Sequence, residues 1–115
     1  MRKVEIFGLR LPMVEKGDDI GKMIVETMER EGFELFNDDI VVVAHTIISK
    51  AEGAFIRVSD VKISEEAKKL AEKTGKDPAL VQTILDSSNE IVKVGKATII
   101  AESKQGFICS SAGVD

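Results

Sequence analysis

The chain has 115 residues and a net charge of −4, and its hydrophobic fraction of 43% and charged fraction of 31% are typical of a globular protein. The length predicts one domain over residues 1–115. No apolar run reaches the roughly 18 residues of a membrane span, and early charges interrupt any signal peptide, so we expect a cytoplasmic protein without a membrane partner. The acidic charge and the lack of Trp and Tyr exclude the usual basis for binding nucleic acid.

The N-terminal segment combines a short predicted strand with a stiff loop. Val4 to Phe7 has the apolar character of a strand. Pro12 lacks an amide hydrogen and restricts the residue before it, so Leu11 to Val14 is predicted to be an extended loop. Such a loop can offer backbone groups to a ligand, or it can serve only as an apolar connector over the edge of the core.

The segment after residue 39 changes from apolar to polar within a few positions. Ile40 to Ala44 is an unbroken apolar run rich in β-branched residues, which predicts a central strand buried on both faces. His45, Thr46, Ser49 and Lys50 follow it, and their hydroxyls and ammonium group could hold a phosphate. The alternative interpretations are a structural histidine, a turn serine and a solvated surface lysine.

The other predicted elements give an α+β fold with a mixed or antiparallel sheet and about three helices. Caps and apolar spacing predict helices from Ile20 to Glu31 with Gly32 as the terminator, from Ser64 to Thr74, and from Asp77-Pro78 to about residue 86. Further strands are predicted at Ala54 to Val58, Ile91 to Val94, Ala97 to Ala101 and Phe107 to Ser110, the last three as consecutive antiparallel hairpins.

Cys109 and Asp115 limit the metal chemistry that the sequence allows. Cys109 is the single cysteine, so neither an intrachain disulfide nor a cysteine-based zinc site can form. Asp115 could bind Mg²⁺ or Mn²⁺, but one carboxylate cannot hold such an ion alone.

Three motifs occur in order along almost the whole chain. They are Leu11-Pro12-Met13-Val14 followed by Glu15-Lys16-Gly17-Asp18-Asp19, then His45-Thr46-Ile47-Ile48-Ser49-Lys50-Ala51-Glu52-Gly53, and finally Ala112-Gly113-Val114-Asp115. Together they resemble the N-terminal half of the coenzyme F420:L-glutamate ligase (F420-0:gamma-glutamyl ligase) family. The I-S-K-A-E-G core of the second motif is the most specific piece.

The resemblance implies the N-terminal portion of the gamma-glutamyl ligase fold and an archaeal-type, GTP-dependent enzyme. Such an enzyme adds L-glutamate to coenzyme F420-0 through an acyl phosphate, works as a homodimer, and uses GTP as co-substrate with Mg²⁺ or Mn²⁺, K⁺ being a further candidate cation. No catalytic residue is implied, and His45 stands where the family carries a small hydroxyl residue. By motif, Asp115 would bind the metal, and GTP would contact Leu11, Pro12, Met13, Val14, His45, Thr46 and Lys50.

The chain is about half the usual length of the family it resembles, so three hypotheses follow. In the first, it is the N-terminal part of a ligase and is inactive alone. In the second, it is a non-catalytic module on the same scaffold that binds a nucleotide or dimerises. In the third, it is an assembly subunit whose strands at Ala97 to Ala101 and Phe107 to Ser110 pair with another chain.

Overall fold

Four α-helices and three β-strands make up the computed structural model, which describes residues 1–115. The chain divides into two units, Met1–Phe55 and Ile56–Asp115. The first unit contains α1 (Ile20–Glu31) and α2 (His45–Glu52). The second contains α3 (Glu65–Thr74), α4 (Pro78–Asp86), β1 (Ser88–Gly95), β2 (Thr98–Ser103) and β3 (Ile108–Ser110), with single 3₁₀ turns at Val58–Asp60 and Ser111–Gly113. The predicted α+β class is confirmed, whereas the single domain stays a prediction.

Local capping interactions define the three helices that the sequence predicts. The Asp19 side chain accepts a hydrogen bond from the Lys22 amide at 3.0 Å and begins α1. Ser64 does the same for α3, and Asp77 for α4. Gly32 ends α1 in the left-handed conformation, with φ 74°. These helix ends confirm the predicted positions. The sequence could predict them because a cap acts only on residues within one turn.

The three strands form an antiparallel sheet in the order β1-β2-β3. This topology confirms the predicted consecutive hairpins. The sheet shares one buried core with α3 and α4, to which α3 contributes small side chains and α4 contributes larger ones. The buried core consists of Ala67, Ala71, Val81, Ile84, Ile99, Ala101 and Ala112.

The first unit buries much less apolar surface than the second. Its buried hydrophobic residues are Val14, in the loop before α1, and Ile24, on α1. Thr27, one turn after Ile24 on the same helix, is also buried. The longest helix, α1, has 12 residues. None of the four helices therefore has both the length and the apolar surface that a bilayer span requires.

Three predicted strands are wrong. Val4 to Phe7, Ile40 to Ala44 and Ala54 to Val58 form no strand, and Ile40 and Val42 are exposed instead of buried. A strand requires a neighbouring strand for its main-chain hydrogen bonds, and β-branched residues alone cannot supply one. His45, Thr46, Ser49 and Lys50, which follow Ile40 to Ala44, belong to the helix α2 and not to the end of a strand.

Candidate functional site

Two of the three sequence motifs meet in the first unit. The Lys50 ammonium lies 3.8 Å from the Met13 sulfur, a weak hydrogen-bond acceptor, and this contact joins the last turn of α2 to the loop of residues 11–14. Within that loop Val14 is buried, Leu11 is half-buried, and Pro12 and Met13 are exposed. The loop is therefore anchored at Val14 while the residues before it face solvent.

Close backbone packing holds the segment after the loop against the end of α2. The Gly17 amide donates a hydrogen bond to the Ala51 carbonyl at 2.8 Å. Gly53, which ends α2, is left-handed with φ 68°, and the aliphatic chain of Lys16 passes directly over it. A Cβ atom at this position would lie 2.6 Å from Lys16 Cε, so the approach depends on glycine.

The packing leaves an open concavity of about 400 Å³ beside Lys50. Val14 and Phe55 contribute apolar walls, while Lys16 and Lys50 contribute two positive charges. Ammonium groups are suitable point charges for a phosphate, and an apolar wall suits the flat face of a base. The concavity is lined by Val14, Glu15, Lys16, Lys50, Gly53 and Phe55.

The N-terminal turn of α2 carries the other predicted nucleotide contacts. His45 and Thr46 are its first two residues, and both are exposed. Ala44 precedes them and offers no side-chain cap, and the amides at a helix N-terminus form its positive end. Thr46 and Lys50 are four residues apart, so they share one face of the helix. A hydroxyl and an ammonium group on this face can approach the same anion.

Sequence reasoning missed α2, and with it the contributions of Lys16 and Phe55 to the concavity. A signal for the helix was present, since Gly53 follows Lys50-Ala51-Glu52 in the position of a left-handed helix terminator. The apolar run of residues 40–44 favoured a strand-and-turn interpretation instead. Lys16 and Phe55 had no comparable signal, because their proximity to Lys50 depends on chain packing.

Asp115, the predicted metal ligand, lies in the second unit and is exposed. It follows the turn Ser111–Gly113, in which Ser111 and Ala112 are left-handed with φ 54° and 51°. No group of three or more His, Cys, Asp or Glu side chains is arranged to hold a metal ion. The role of Asp115 as a metal ligand therefore stays a prediction.

Comparison with known proteins connects this geometry to a family. Residues 8–115 match the family model described as F420-0:Gamma-glutamyl ligase. Three similar proteins, all named Coenzyme F420:L-glutamate ligase, come from archaea. The relative from Methanothermobacter thermautotrophicus is 47% identical over 105 residues, which are 91% of this chain and 42% of the relative.

The relative from Methanocaldococcus jannaschii is 48% identical over 116 residues, or 99% of this chain and 44% of the relative. The relative from Archaeoglobus fulgidus is 36% identical over 114 residues, or 98% of this chain and 43% of the relative. The chain therefore spans less than half the length of these curated relatives, and it corresponds to their N-terminal part.

Proposed function

The chain belongs to the F420-0:gamma-glutamyl ligase family, and on that premise we propose that it supplies part of the GTP site of an enzyme that adds L-glutamate to coenzyme F420-0. The contact between Lys50 and Met13 carries this proposal. It joins two motifs that lie far apart in the sequence and places a lysine at the rim of an open concavity.

In the proposed site Lys50 neutralises phosphate charge and Thr46 donates a hydrogen bond to a phosphate oxygen. His45, at the start of the same helix, lies at its positive end. Lys50 of α2 contacts the loop of residues 11–14 through Met13. The nucleotide would be contacted from the loop side by Leu11, Pro12, Met13 and Val14. Lys16 is added to the predicted set, because it lines the same concavity and brings a second positive charge.

The proposed reaction has two steps. A carboxylate oxygen of F420-0 attacks the γ-phosphorus of GTP, which forms an acyl phosphate and releases GDP. The amino group of L-glutamate then attacks the acyl carbon, which forms the amide and releases phosphate and a proton. Lys50 acts in the first step, because a positive charge beside the transferring phosphoryl group stabilises the transition state.

The proposal extends to the full-length ligase as a homodimer with Mg²⁺ or Mn²⁺ accompanying GTP. Asp115 offers one carboxylate to such an ion, and the remaining ligands would come from the nucleotide, water and residues outside this chain. We also propose that the 115-residue chain does not catalyse the reaction alone, because its acidic side chains do not form a metal-binding cluster.

Calorimetric titration of the 115-residue chain with GTP and Mn²⁺ tests the nucleotide site. We expect saturable binding that Lys50→Gln weakens by about 10- to 100-fold, since a hydrogen bond to a charged group contributes roughly 1.5–3 kcal/mol. Thr46→Val removes the hydroxyl without changing the side-chain shape and should weaken binding by about tenfold, the lower end of the range for a hydrogen bond to a charged group.

Lys69→Gln is the matched control, since Lys69 is an exposed lysine on α3 in the other unit. It removes the same charge and should leave GTP affinity unchanged. Equal weakening by Lys50→Gln and Lys69→Gln would mean that only net charge matters. That result, or the absence of saturable binding, would contradict the proposed GTP site.

A further inference from the structure

Both polar groups of the Arg10 main chain are bound by side chains from the last turn of α1. The Arg10 amide donates a hydrogen bond to Glu31 Oε1 at 3.3 Å, and the Arg30 guanidinium donates one to the Arg10 carbonyl oxygen at 3.0 Å. Arg10 directly precedes the loop of residues 11–14. We call Arg30 and Glu31 the α1 clamp.

The α1 clamp holds one end of this loop, and the other end is fixed separately. At that other end Val14 is buried, and the Glu15 amide donates a hydrogen bond to Asp18 Oδ2 at 2.7 Å. Between the two ends, the main-chain groups of residues 11–14 form no hydrogen bond within the chain. Such groups require water or a ligand as their partner. The loop is thus held at its ends and open along its length.

The direction of the loop follows from these two anchors. Asp18 lies just before the first turn of α1, whereas the α1 clamp lies in its last turn, so the loop runs antiparallel to the helix. The 12 residues of α1 span about 18 Å at 1.5 Å per residue. The chain from residue 10 to residue 15 also reaches at most about 18 Å when it is fully extended. The anchored loop therefore has little slack and stays extended.

The stability of α1 does not explain why a glutamate stands at position 31. Glu31 is the last residue of the helix, where its negative charge lies at the negative end of the helix dipole. The hydrogen bond that its carboxylate accepts comes from the Arg10 amide. A side chain that is unfavourable for its own element is expected where it serves a site. Glu31 thus acts on the loop and not on its own helix.

From the α1 clamp the loop leads to the contact between Met13 and Lys50. We propose that Arg30 and Glu31 are positioning residues for nucleotide binding, which hold the Arg10 main chain so that the loop is extended beside Lys50 before GTP binds. Neither side chain touches the nucleotide. A loop that is already ordered loses less conformational entropy on binding than a mobile one. This inference rests on the proposed GTP site and adds two residues of α1 to it.

Calorimetric titration of the 115-residue chain with GTP and Mn²⁺ tests the α1 clamp through two substitutions of opposite charge. Glu31→Ala removes the acceptor for the Arg10 amide, and Arg30→Ala removes the donor to its carbonyl oxygen. We expect each to weaken GTP binding by about five- to tenfold, because the loop must then be ordered during binding. Charge alone predicts the opposite for Glu31→Ala, since the loss of a negative charge favours an anionic ligand.

Glu31→Gln is the rescue variant, because its amide oxygen can still accept a hydrogen bond from the Arg10 amide. It should bind GTP within about twofold of the wild type. The matched control is Glu29→Ala, since Glu29 is an exposed glutamate in the same turn of α1. It removes the same charge without loosening the loop and should not weaken binding.

NMR of the methionine methyl groups measures the position of the loop without nucleotide. The chain has four methionines, of which Met13 contacts Lys50 and Met23 lies within α1. In Glu31→Ala and in Arg30→Ala, the Met13 methyl signal should move towards its position in the urea-unfolded chain. The Met23 signal should keep its wild-type position, because the helix itself remains folded.

Several results would overturn the proposal. They are unchanged GTP affinity in both alanine variants, stronger binding by Glu31→Ala, equal losses in Glu31→Gln and Glu31→Ala, and an unmoved Met13 signal. A Met23 signal that moves together with that of Met13 would assign the two residues to the stability of α1 instead.

Lys50→Gln distinguishes failure of the α1 clamp from failure of the GTP site. If Lys50→Gln weakens binding while the clamp variants do not, the GTP site stands and the positioning role is wrong. If the wild-type chain shows no saturable GTP binding, the GTP site is wrong. The Met13 signal then decides by itself whether the α1 clamp holds the loop.

Discussion

Gly53 is a single residue on which the geometry beside Lys50 depends. Its backbone is left-handed with φ 68°, and Lys16 packs over the position that a Cβ atom would occupy. We predict that Gly53→Ala lowers the free energy of unfolding by about 1–2 kcal/mol, because an L-residue is strained in this conformation. Lys16 has a flexible side chain that can move aside, so the backbone accounts for most of the loss. Thermal unfolding followed by circular dichroism measures the effect.

Gly21→Ala is the control for this substitution. Gly21 lies within α1, and a Cβ atom there would have its nearest contact with Asp19 Oδ1 at 3.4 Å. Alanine at this position should raise stability by about 0.5–1 kcal/mol, because glycine is a poor helix former. If both variants changed stability in the same direction, the left-handed strain at Gly53 would not be the cause.

Among the elements, α4 shows most directly how a local signal stabilises the fold. Asp77 Oδ1 accepts hydrogen bonds from the amides of Ala79 and Leu80, at 2.8 Å and 3.2 Å. Asp77→Ala removes both bonds and should cost about 1 kcal/mol of stability. Urea unfolding followed at a helix-sensitive wavelength measures the loss.

The control for the α4 cap is Glu72→Ala on α3. Glu72 is exposed in the last turn of that helix, and its replacement leaves both caps intact. We expect a change within about 0.5 kcal/mol. An equal loss in the two variants would indicate that the negative charge, and not the capping hydrogen bonds, stabilises α4.

At the scale of the whole molecule, the residues predicted to bind GTP and the predicted metal ligand Asp115 belong to different units. The first unit provides the concavity beside Lys50, and Asp115 has no cluster of acidic ligands around it. We predict that the 115-residue chain forms no glutamylated F420-0 from GTP, L-glutamate and Mn²⁺, as measured by mass spectrometry of the products. The full-length Methanocaldococcus jannaschii relative serves as the positive control. GTP-dependent product from the short chain above a no-protein blank would refute the prediction.

The sequence by itself determined the features that depend on neighbours along the chain. Asp19, Ser64 and Asp77 begin helices because each binds amides within the next three residues. The three C-terminal strands follow the same rule, since each hairpin pairs segments that are adjacent in the sequence. The family motifs were also visible there, because they are runs of consecutive residues.

Only the tertiary structure decided the features that need a distant partner. Ile40 to Ala44 has strong strand propensity, yet it forms no strand because no other segment of this chain pairs with it. Lys50 and Met13 are 37 residues apart, and their contact depends on how α2 packs against the loop. Propensity acts over one or two turns, whereas a strand or a binding site requires groups that folding brings together.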